Sequence, residues 1–318
     1  MPETLSIRPV KEHVKAQPHV EGAGVNLHRA FGFGKTSDFD PFLLFDDFRG
    51  DRPRDYEAGF PWHPHRGIET ITYVLAGSVD HGDSLGNEGS IEPGDVQWMT
   101  ASSGIVHQEL LHGDGDGRMH GFQLWANLPR DLKMTPTRYQ DIKSTDIPEV
   151  TEDAGTRAWI ICGNLWGSSG PVDGIAADPQ HVDISVPPGV KRVIPVATER
   201  HAFAYVFAVS GKFSRVSDPL RAPTAWVDPK ANPEPLDDHG TGLSAGTDTD
   251  NRSMVLFDRG DNVTVQAGEE GIRFLLASGQ PLQEPVSWHG PIVMNTRAGI
   301  VQAYEELEEG TFLEHTWS

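Results

Sequence analysis

The sequence predicts an all-β protein, a sandwich or a barrel, built from two β-rich halves. Short apolar runs separated by turn residues recur roughly every 8–12 residues, which is typical of such folds. Glycine (34 residues) and proline (24 residues) are abundant, which favours turns and short strands over long helices. The two halves also resemble each other in their strands and Pro-Gly turns, which indicates an internal duplication at the scale of a domain.

The strands of the first half are rich in β-branched and aromatic residues and end at turn residues. The clearest is 68–75 (IETITYVL), which Ala76 and Gly77 follow. A Pro-Gly turn leads into a second strand at 96–99, and a third lies at 121–126. Together they predict a first domain over residues 1–145.

The second half, residues 146–318, repeats this pattern as a second predicted domain. Residues 182–186 alternate between apolar and polar and then meet a Pro-Pro-Gly turn. Further strands are predicted at 202–209 and 273–277.

Two other segments of the second half stand apart from its strands. A polar, proline-containing stretch at about 214–252 predicts a long loop. Near the C-terminus, apolar residues at helical spacing over 300–307 predict a short helix.

Two pairs of metal-binding residue types, each at a spacing of two, carry the clearest chemical signal. His63 and His65 form the first pair, and His107 and Glu109 form the second. In a β-strand, residues i and i+2 point to the same face, so each pair can offer both side chains to one point. Imidazole and carboxylate ligands suit Fe, Mn, Ni, Cu or Zn. The pattern predicts one four-ligand metal site between two strands.

Glu69 is a second candidate for the carboxylate ligand. It lies four residues after His65, so strict alternation would place both on one face of a strand. Spacing alone therefore leaves Glu69 and Glu109 open as the fourth ligand, with the other supporting the site as a neighbour. The histidines of the second half show no paired spacing, so we expect that half to hold no metal.

Composition narrows the class of protein. The formal net charge is −20, which disfavours direct contact with nucleic acid phosphates. No run approaches the roughly 20 apolar residues that span a bilayer, and the first residues lack the apolar run of a secretory signal. The single cysteine, Cys162, stands in an apolar run, which predicts a buried, inert thiol. We therefore expect a cytoplasmic protein that binds neither nucleic acid nor membrane.

Several motifs, taken in order along the chain, resemble the pirin family of the cupin superfamily. The runs that carry the resemblance are FDPF at 39–42, DDF at 46–48, FPWHPHRG at 60–67, DSLG at 83–86, GDVQWMTA at 94–101, GIVHQE at 104–109, HGFQLW at 120–125, EPV at 284–286 and HGPIVMNT at 289–296. They cover nearly the whole chain, so chance agreement is very improbable.

The resemblance implies two cupin barrels (double-stranded β-helices, or jelly rolls) packed face to face. It also implies one mononuclear metal, usually iron, in the N-terminal barrel only, with Mn, Ni, Cu or Zn as alternatives. In that family the fourth ligand is the glutamate of the second motif. This glutamate corresponds to Glu109, which would join His63, His65 and His107, with Glu69 as a near neighbour.

Two functions follow from the resemblance. The first is that of a quercetin 2,3-dioxygenase, which opens the ring of a flavonol or a similar enol or phenol with O₂. In such an enzyme Glu109, or Glu69 nearby, would accept the substrate's hydroxyl proton as general base. The alternative is a metal- or redox-dependent regulatory protein that binds a transcription factor or a metabolic enzyme without turnover. We expect a monomer, because the two halves can cover each other.

Overall fold

The computed structural model describes residues 6–214 and 246–313. In chain order, the strands of the first part are β1 (Val10–Lys15), β2 (Gln17–Glu21), β3 (Val25–Phe31), β4 (Phe42–Gly50), β5 (Phe60–His65), β6 (Ile68–Ala76), β7 (Ser78–Asp83), β8 (Glu88–Ile91), β9 (Val96–Thr100), β10 (Ile105–His112), β11 (Met119–Asn127) and β12 (Arg138–Ile142). A short helix, α1 (Thr36–Phe39), precedes β4. The predicted all-β class is confirmed.

The remaining described elements are again mostly strands. They are β13 (Glu149–Thr151), β14 (Arg157–Cys162), β15 (Asn164–Leu165), β16 (Ser168–Ser169), β17 (Gln180–Val186), β18 (Lys191–Pro195), β19 (His201–Phe213), β20 (Thr247–Asp250), β21 (Ser253–Phe257), β22 (Asn262–Gly279), β23 (Ser287–His289), β24 (Ile292–Met294) and the helix α2 (Arg297–Glu309). Single 3₁₀ turns lie at Pro53–Asp55, Arg130–Leu132, Ser144–Asp146 and Asp153–Gly155. Neither described α-helix has the length and apolarity needed to cross a membrane.

The described residues form two compact units, and each unit collects three separate stretches of chain. One unit contains the described residues of 1–15, 149–159 and 182–278, and the other contains those of 16–148, 160–181 and 279–318. The segment after β22 thus belongs to the same unit as β2–β12. The chain passes between the units several times, which differs from the single boundary predicted at residue 145.

The unit that contains β2–β12 is built on two antiparallel sheets. Its seven-stranded sheet has the order β12-β9-β6-β11-β4-β3-β2, and its four-stranded sheet has the order β5-β10-β7-β8. Both sheets contribute to one buried apolar cluster, which contains Leu27 and Val74 from the first sheet with Val79 and Leu111 from the second. Burial of this apolar surface holds the sheets together.

The other unit is organised around one nine-stranded sheet. Its main path is β1-β21-β19-β22-β17-β14-β13, with β18 paired to β22 and β20 paired to β19. Phe213 packs its ring against Phe257 and Phe274 in the core of this unit. Most of the loop predicted at about 214–252 lies outside the described residues, but its end differs from that prediction because β20 pairs with β19.

The individual elements predicted from the sequence are confirmed where the structure describes them. The strands predicted at 68–75, 96–99 and 121–126 are β6, β9 and β11, and the predicted C-terminal helix is α2. The hydroxyl of Thr296 accepts a hydrogen bond from the Gly299 amide at the start of α2, and Gly310 ends the helix in a left-handed conformation. Cys162 is buried, as predicted, and its thiol donates to the backbone carbonyl of Pro179 at 3.4 Å.

A buried arginine joins α2 to the end of β5. Arg66 forms an ion pair with Glu306 of α2 at 2.7 Å and donates to the carbonyl of Ser103. Its guanidinium also lies over the ring of Phe312, 4.1 Å from the ring centroid. Because the Arg66 side chain is only 1% exposed, removal of its charge would leave Glu306 partly buried without its cation.

We expect Arg66→Met to lower the free energy of unfolding by about 3–5 kcal/mol, the usual cost of breaking a buried ion pair from one side. Urea unfolding followed by tryptophan fluorescence measures this loss. The matched control is Arg52→Met, which removes an exposed pair with Asp55 and should cost under about 1 kcal/mol. Equal losses in the two variants would contradict the assigned role of Arg66.

Candidate metal centre

Three histidines converge between two paired strands of the four-stranded sheet. Strands β5 and β10 run antiparallel, with His63 directly opposite His107 and with His65 opposite Ile105. The ligand nitrogens of the three histidines all lie within 4.8 Å of one another. His65 and His107 are buried, and His63 is half-buried. The structure thus brings together the three imidazoles that the sequence predicts as ligands.

Backbone carbonyls orient two of these rings. His63 Nδ1 lies 2.7 Å from the carbonyl oxygen of Pro61, and His65 Nδ1 lies 3.1 Å from that of Pro291. A carbonyl oxygen only accepts, so each ring donates from Nδ1 and keeps a lone pair on Nε2. The two Nε2 atoms face each other at 3.1 Å.

The third ring also has an uncommitted nitrogen. His107 Nε2 is buried and has no hydrogen-bond partner among the described residues. A buried polar atom without a partner costs free energy unless something else satisfies it. Three ring nitrogens that converge on one point fit a transition-metal ion, because an ion accepts all three lone pairs at once.

Burial keeps His65 and His107 uncharged at neutral pH. Desolvation, followed by repulsion from His63, lowers the pKa of His65 to about 3. Desolvation and then the neighbouring His65 lower the pKa of His107 well below its usual value. Neutral imidazole is the form that binds metals, so the site is prepared for an ion without the loss of a proton from these rings.

Glu109 lies in the same cavity, but hydrogen-bond donors from the other sheet hold its carboxylate. Thr72 Oγ1 donates to Glu109 Oε1 at 3.3 Å. The side-chain amide nitrogen of Gln123 donates to both carboxylate oxygens, at 3.1 and 3.2 Å, and Trp125 Nε1 donates to Gln123 Oε1 at 3.0 Å. The cluster of atoms within 4.8 Å of one another contains the three histidines and not Glu109. The role of Glu109 as the fourth metal ligand therefore stays a prediction.

Glu69 occupies a different position from the one that alternation suggests. Gly67, with a φ of +78°, separates β5 from β6, and the two strands belong to different sheets. The pairing of β6 is regular from Glu69 to Tyr73, so Glu69 and Thr72, three residues apart, point to opposite faces. Since Thr72 contacts Glu109, Glu69 points away from the cavity.

The surroundings of Glu69 agree with this placement. Glu69 accepts a hydrogen bond from its cross-strand neighbour Thr100 at 2.8 Å. Desolvation raises the pKa of Glu69 to about 7, although the hydrogen bond from Thr100 opposes this rise. Glu69 is thus a buried carboxyl group on the opposite face of its sheet from Thr72.

A row of polar side chains crosses the whole seven-stranded sheet beneath Glu109. In register from β12 to β2, its members are Asp141, Gln97, Thr72, Gln123, Asp46, Arg29 and Gln17. Direct cross-strand neighbours point to the same face of a sheet. No spacing rule shows this row in the sequence, because its members are joined only by strand order and register.

His63, His65 and Glu109 open onto a cavity of about 700 Å³. Part of the polar row lines it through Gln123, Asp46 and Arg29. The aromatic residues of the lining are Phe33, Phe60, Trp62, Trp125 and Trp288. A cavity with a polar row on one side and aromatic rings around it can hold a flat, partly polar organic molecule.

The chain folds into two β-rich units, and one of them holds a three-histidine cluster beside a cavity. These features define a two-domain cupin protein. Residues 24–126 match the family model described as Pirin, and residues 239–313 match the Pirin C-terminal cupin domain. The chain belongs to the pirin family, which confirms the resemblance seen in the sequence.

Individual relatives match over almost their full lengths. A pirin-like protein of Caulobacter vibrioides is 40% identical, covering 97% of this chain and 100% of that protein. Human pirin is 34% identical, and the match covers 98% of this chain and 97% of human pirin. A crystal structure of quercetin 2,3-dioxygenase from Acinetobacter baumannii superposes with a TM-score of 0.80 at 27% identity. The match covers 96% of this chain and 99% of that one.

We expect His107→Ala to abolish stoichiometric metal binding, because it removes one of three converging imidazoles. His112→Ala is the matched control on the same strand, since His112 is exposed and pairs with Asp80. Protein loaded anaerobically with Fe(II) and then desalted should retain about one ion per chain in the control by elemental analysis, as one three-histidine site requires. Full retention of iron by His107→Ala would refute the site.

We also expect Gln123→Leu to weaken metal binding about 10–100-fold, the usual effect of losing a side chain that orients a ligand. The variant removes both amide hydrogen bonds to Glu109 and keeps the three histidines. Gln97→Leu is the control, because Gln97 lies in the same polar row but donates to Asp141. Competition titration with a chromogenic chelator measures both affinities. An unchanged affinity in Gln123→Leu would show that this contact does not support the site.

Proposed function

We propose that this pirin-family protein is a metal-dependent dioxygenase of the quercetin 2,3-dioxygenase type. Its substrate would be a flavonol or a similar enol or phenol, which reacts with O₂. The observation that carries this proposal is that His63 and His65 of the three-histidine cluster open onto an aromatic-lined cavity of about 700 Å³. The likeness to a solved structure named quercetin 2,3-dioxygenase supports it.

In this proposal His63, His65, His107 and Glu109 hold one first-row transition ion, with iron as the family resemblance implies. The bound ion would supply the Lewis-acid and redox chemistry that activation of O₂ requires. The chain's own residues bind the substrate, orient it and move its proton.

The aromatic side chains orient the substrate ring. Trp125 stands edge-on to His65, with ring centroids 5.0 Å apart, and lies 6.0 Å from Trp288. Aromatic surface therefore begins directly beside the metal ligands. A flat ring that stacks on this surface is held next to the histidines, and the apolar walls exclude water from it.

Glu109 is the proton acceptor in this proposal. Glu109 lines the cavity together with His63 and His65, whereas Glu69 points away from that cavity. The substrate's hydroxyl would transfer its proton to the Glu109 carboxylate, which leaves the electron-rich oxyanion that reacts with O₂. The hydrogen bonds from Gln123 and Thr72 keep the carboxylate oriented while the proton moves.

We expect Glu109→Gln to lower kcat/KM for quercetin at least about 100-fold, the usual contribution of a positioned base. Glu69→Gln is the matched control, with the same change of side chain on the opposite face of the sheet, and should keep turnover within about threefold of wild type, since distal polar changes that touch no reacting group cost little. The assay follows quercetin absorbance and O₂ uptake after anaerobic loading with Fe(II), Mn(II), Ni(II) or Cu(II).

The absence of turnover with every one of these metals would overturn the proposed activity. Metal-dependent capture of a protein partner in the same preparation would then favour the regulatory alternative. An equal loss of turnover in both glutamate variants would refute the assignment of Glu109 as the base.

A further inference from the structure

We propose that Asp46, held in place by Arg29, is a recognition residue that accepts hydrogen bonds from hydroxyl groups of the ligand in this cavity. The site would thereby prefer uncharged, polyhydroxylated aromatic molecules to anionic ones. The inference rests on the proposed function, because it takes the cavity beside the histidines as the substrate cavity.

The position of Asp46 connects it to the metal site. Asp46 of β4 pairs directly with Gln123 of β11, and Gln123 donates to Glu109. Direct cross-strand neighbours have Cβ atoms about 4.5–5.5 Å apart, so Asp46 lies one strand beyond the residue that holds the proposed base. A multi-ring ligand with one hydroxyl at Glu109 can therefore place another beside Asp46.

The hydrogen bonds of Asp46 leave it able to accept more. Its two oxygens accept from Arg29 Nε at 2.8 Å and from Arg29 Nη2 at 2.7 Å, a bidentate arrangement that fixes the carboxylate. Each carboxylate oxygen has two lone-pair sites, so each keeps one beyond the bond to Arg29. Asp46 lines the cavity, so these sites can receive donors from a ligand.

The charges around Arg29 make this end of the cavity unsuitable for anions. Arg29 also contacts Glu21, with Nη1 lying 3.4 Å from Oε1, and its Nη1 lies 3.1 Å from His19. One guanidinium thus faces the two carboxylates of Asp46 and Glu21, and both carboxylates line the cavity. The local charge is negative, which attracts hydroxyl donors and repels a carboxylate or sulfonate on a ligand.

The test compares two flavonols on Zn(II)-loaded protein, in which the redox-inert metal prevents turnover. Quercetin carries several hydroxyls, whereas 3-hydroxyflavone carries only the one assigned to Glu109. Quenching of tryptophan fluorescence measures both dissociation constants, since Trp62, Trp125 and Trp288 line the cavity. Asp80→Asn is the control, because Asp80 is an exposed aspartate outside the cavity lining.

We expect Asp46→Asn to raise the Kd for quercetin about tenfold, the size of one hydrogen bond to a charged group. The Kd for 3-hydroxyflavone should change less than about twofold, because that ligand has no hydroxyl for Asp46. The Asp80→Asn control should change neither constant. A proportional loss for both ligands, or no loss for either, would overturn the recognition role of Asp46.

A second variant tests the charge without touching the buried pair. Glu21→Gln removes the half-exposed carboxylate beside Arg29. A sulfonated quercetin should bind wild type more weakly than quercetin does, and Glu21→Gln should narrow this gap. Equal binding of the two ligands by wild type would refute selection against anions.

Failure of this inference and failure of the proposed activity give different results. Asp46-dependent binding of quercetin without turnover by any metal form would support the inference and overturn the dioxygenase. If wild type turned over quercetin and Asp46→Asn bound quercetin as tightly as wild type does, the dioxygenase would be supported and the recognition role of Asp46 would be overturned. Wild type that binds neither flavonol would overturn both.

Discussion

The antiparallel pairing of β5 with β10 is the constraint on which the candidate metal site depends. It sets His63 opposite His107 and places His65 two residues along the same edge, so three rings meet at one point. The same pairing buries His65 and His107, and desolvation then keeps both uncharged. The convergence of the histidine rings and the uncharged state of His65 and His107 therefore have the same cause, the pairing of these two strands. A slip of one residue would turn every ligand to the other face.

The polar row of the seven-stranded sheet extends this site across a second layer. Buried polar groups persist only where their hydrogen bonds are satisfied, because an unpaired one costs more than a bond contributes. Here Trp125 bonds Gln123, Gln123 bonds Glu109, and Arg29 bonds Asp46. These bonds fix the orientation of the carboxylates that face the cavity. The sheet thus supplies both the orientation of Glu109 and the polar side of the ligand cavity.

The C-terminal segment completes the unit that contains the histidine cluster, although it lies far away in sequence. The carbonyl of Pro291 orients His65, and α2 binds Arg66 through Glu306. The buried ammonium of Lys133 donates to the carbonyls of Gly67 and Val293 at 2.7 and 3.1 Å, which ties the turn after β5 to β24. Desolvation lowers the pKa of Lys133 to about 7. The segment after β22 therefore belongs to the unit that contains the histidine cluster.

The sequence by itself determined the all-β class, the three histidines that converge and the pirin resemblance, because strand alternation and residue spacing are local properties. Only the tertiary structure decided which glutamate faces the cavity. The turn at Gly67 interrupts the alternation that spacing assumed for Glu69, and β5 and β6 enter different sheets. The sequence also does not show the polar row from Asp141 to Gln17, or that the C-terminal segment packs in the same unit as β2–β12. Both depend on which strands pair and in what register, and these are set by long-range packing.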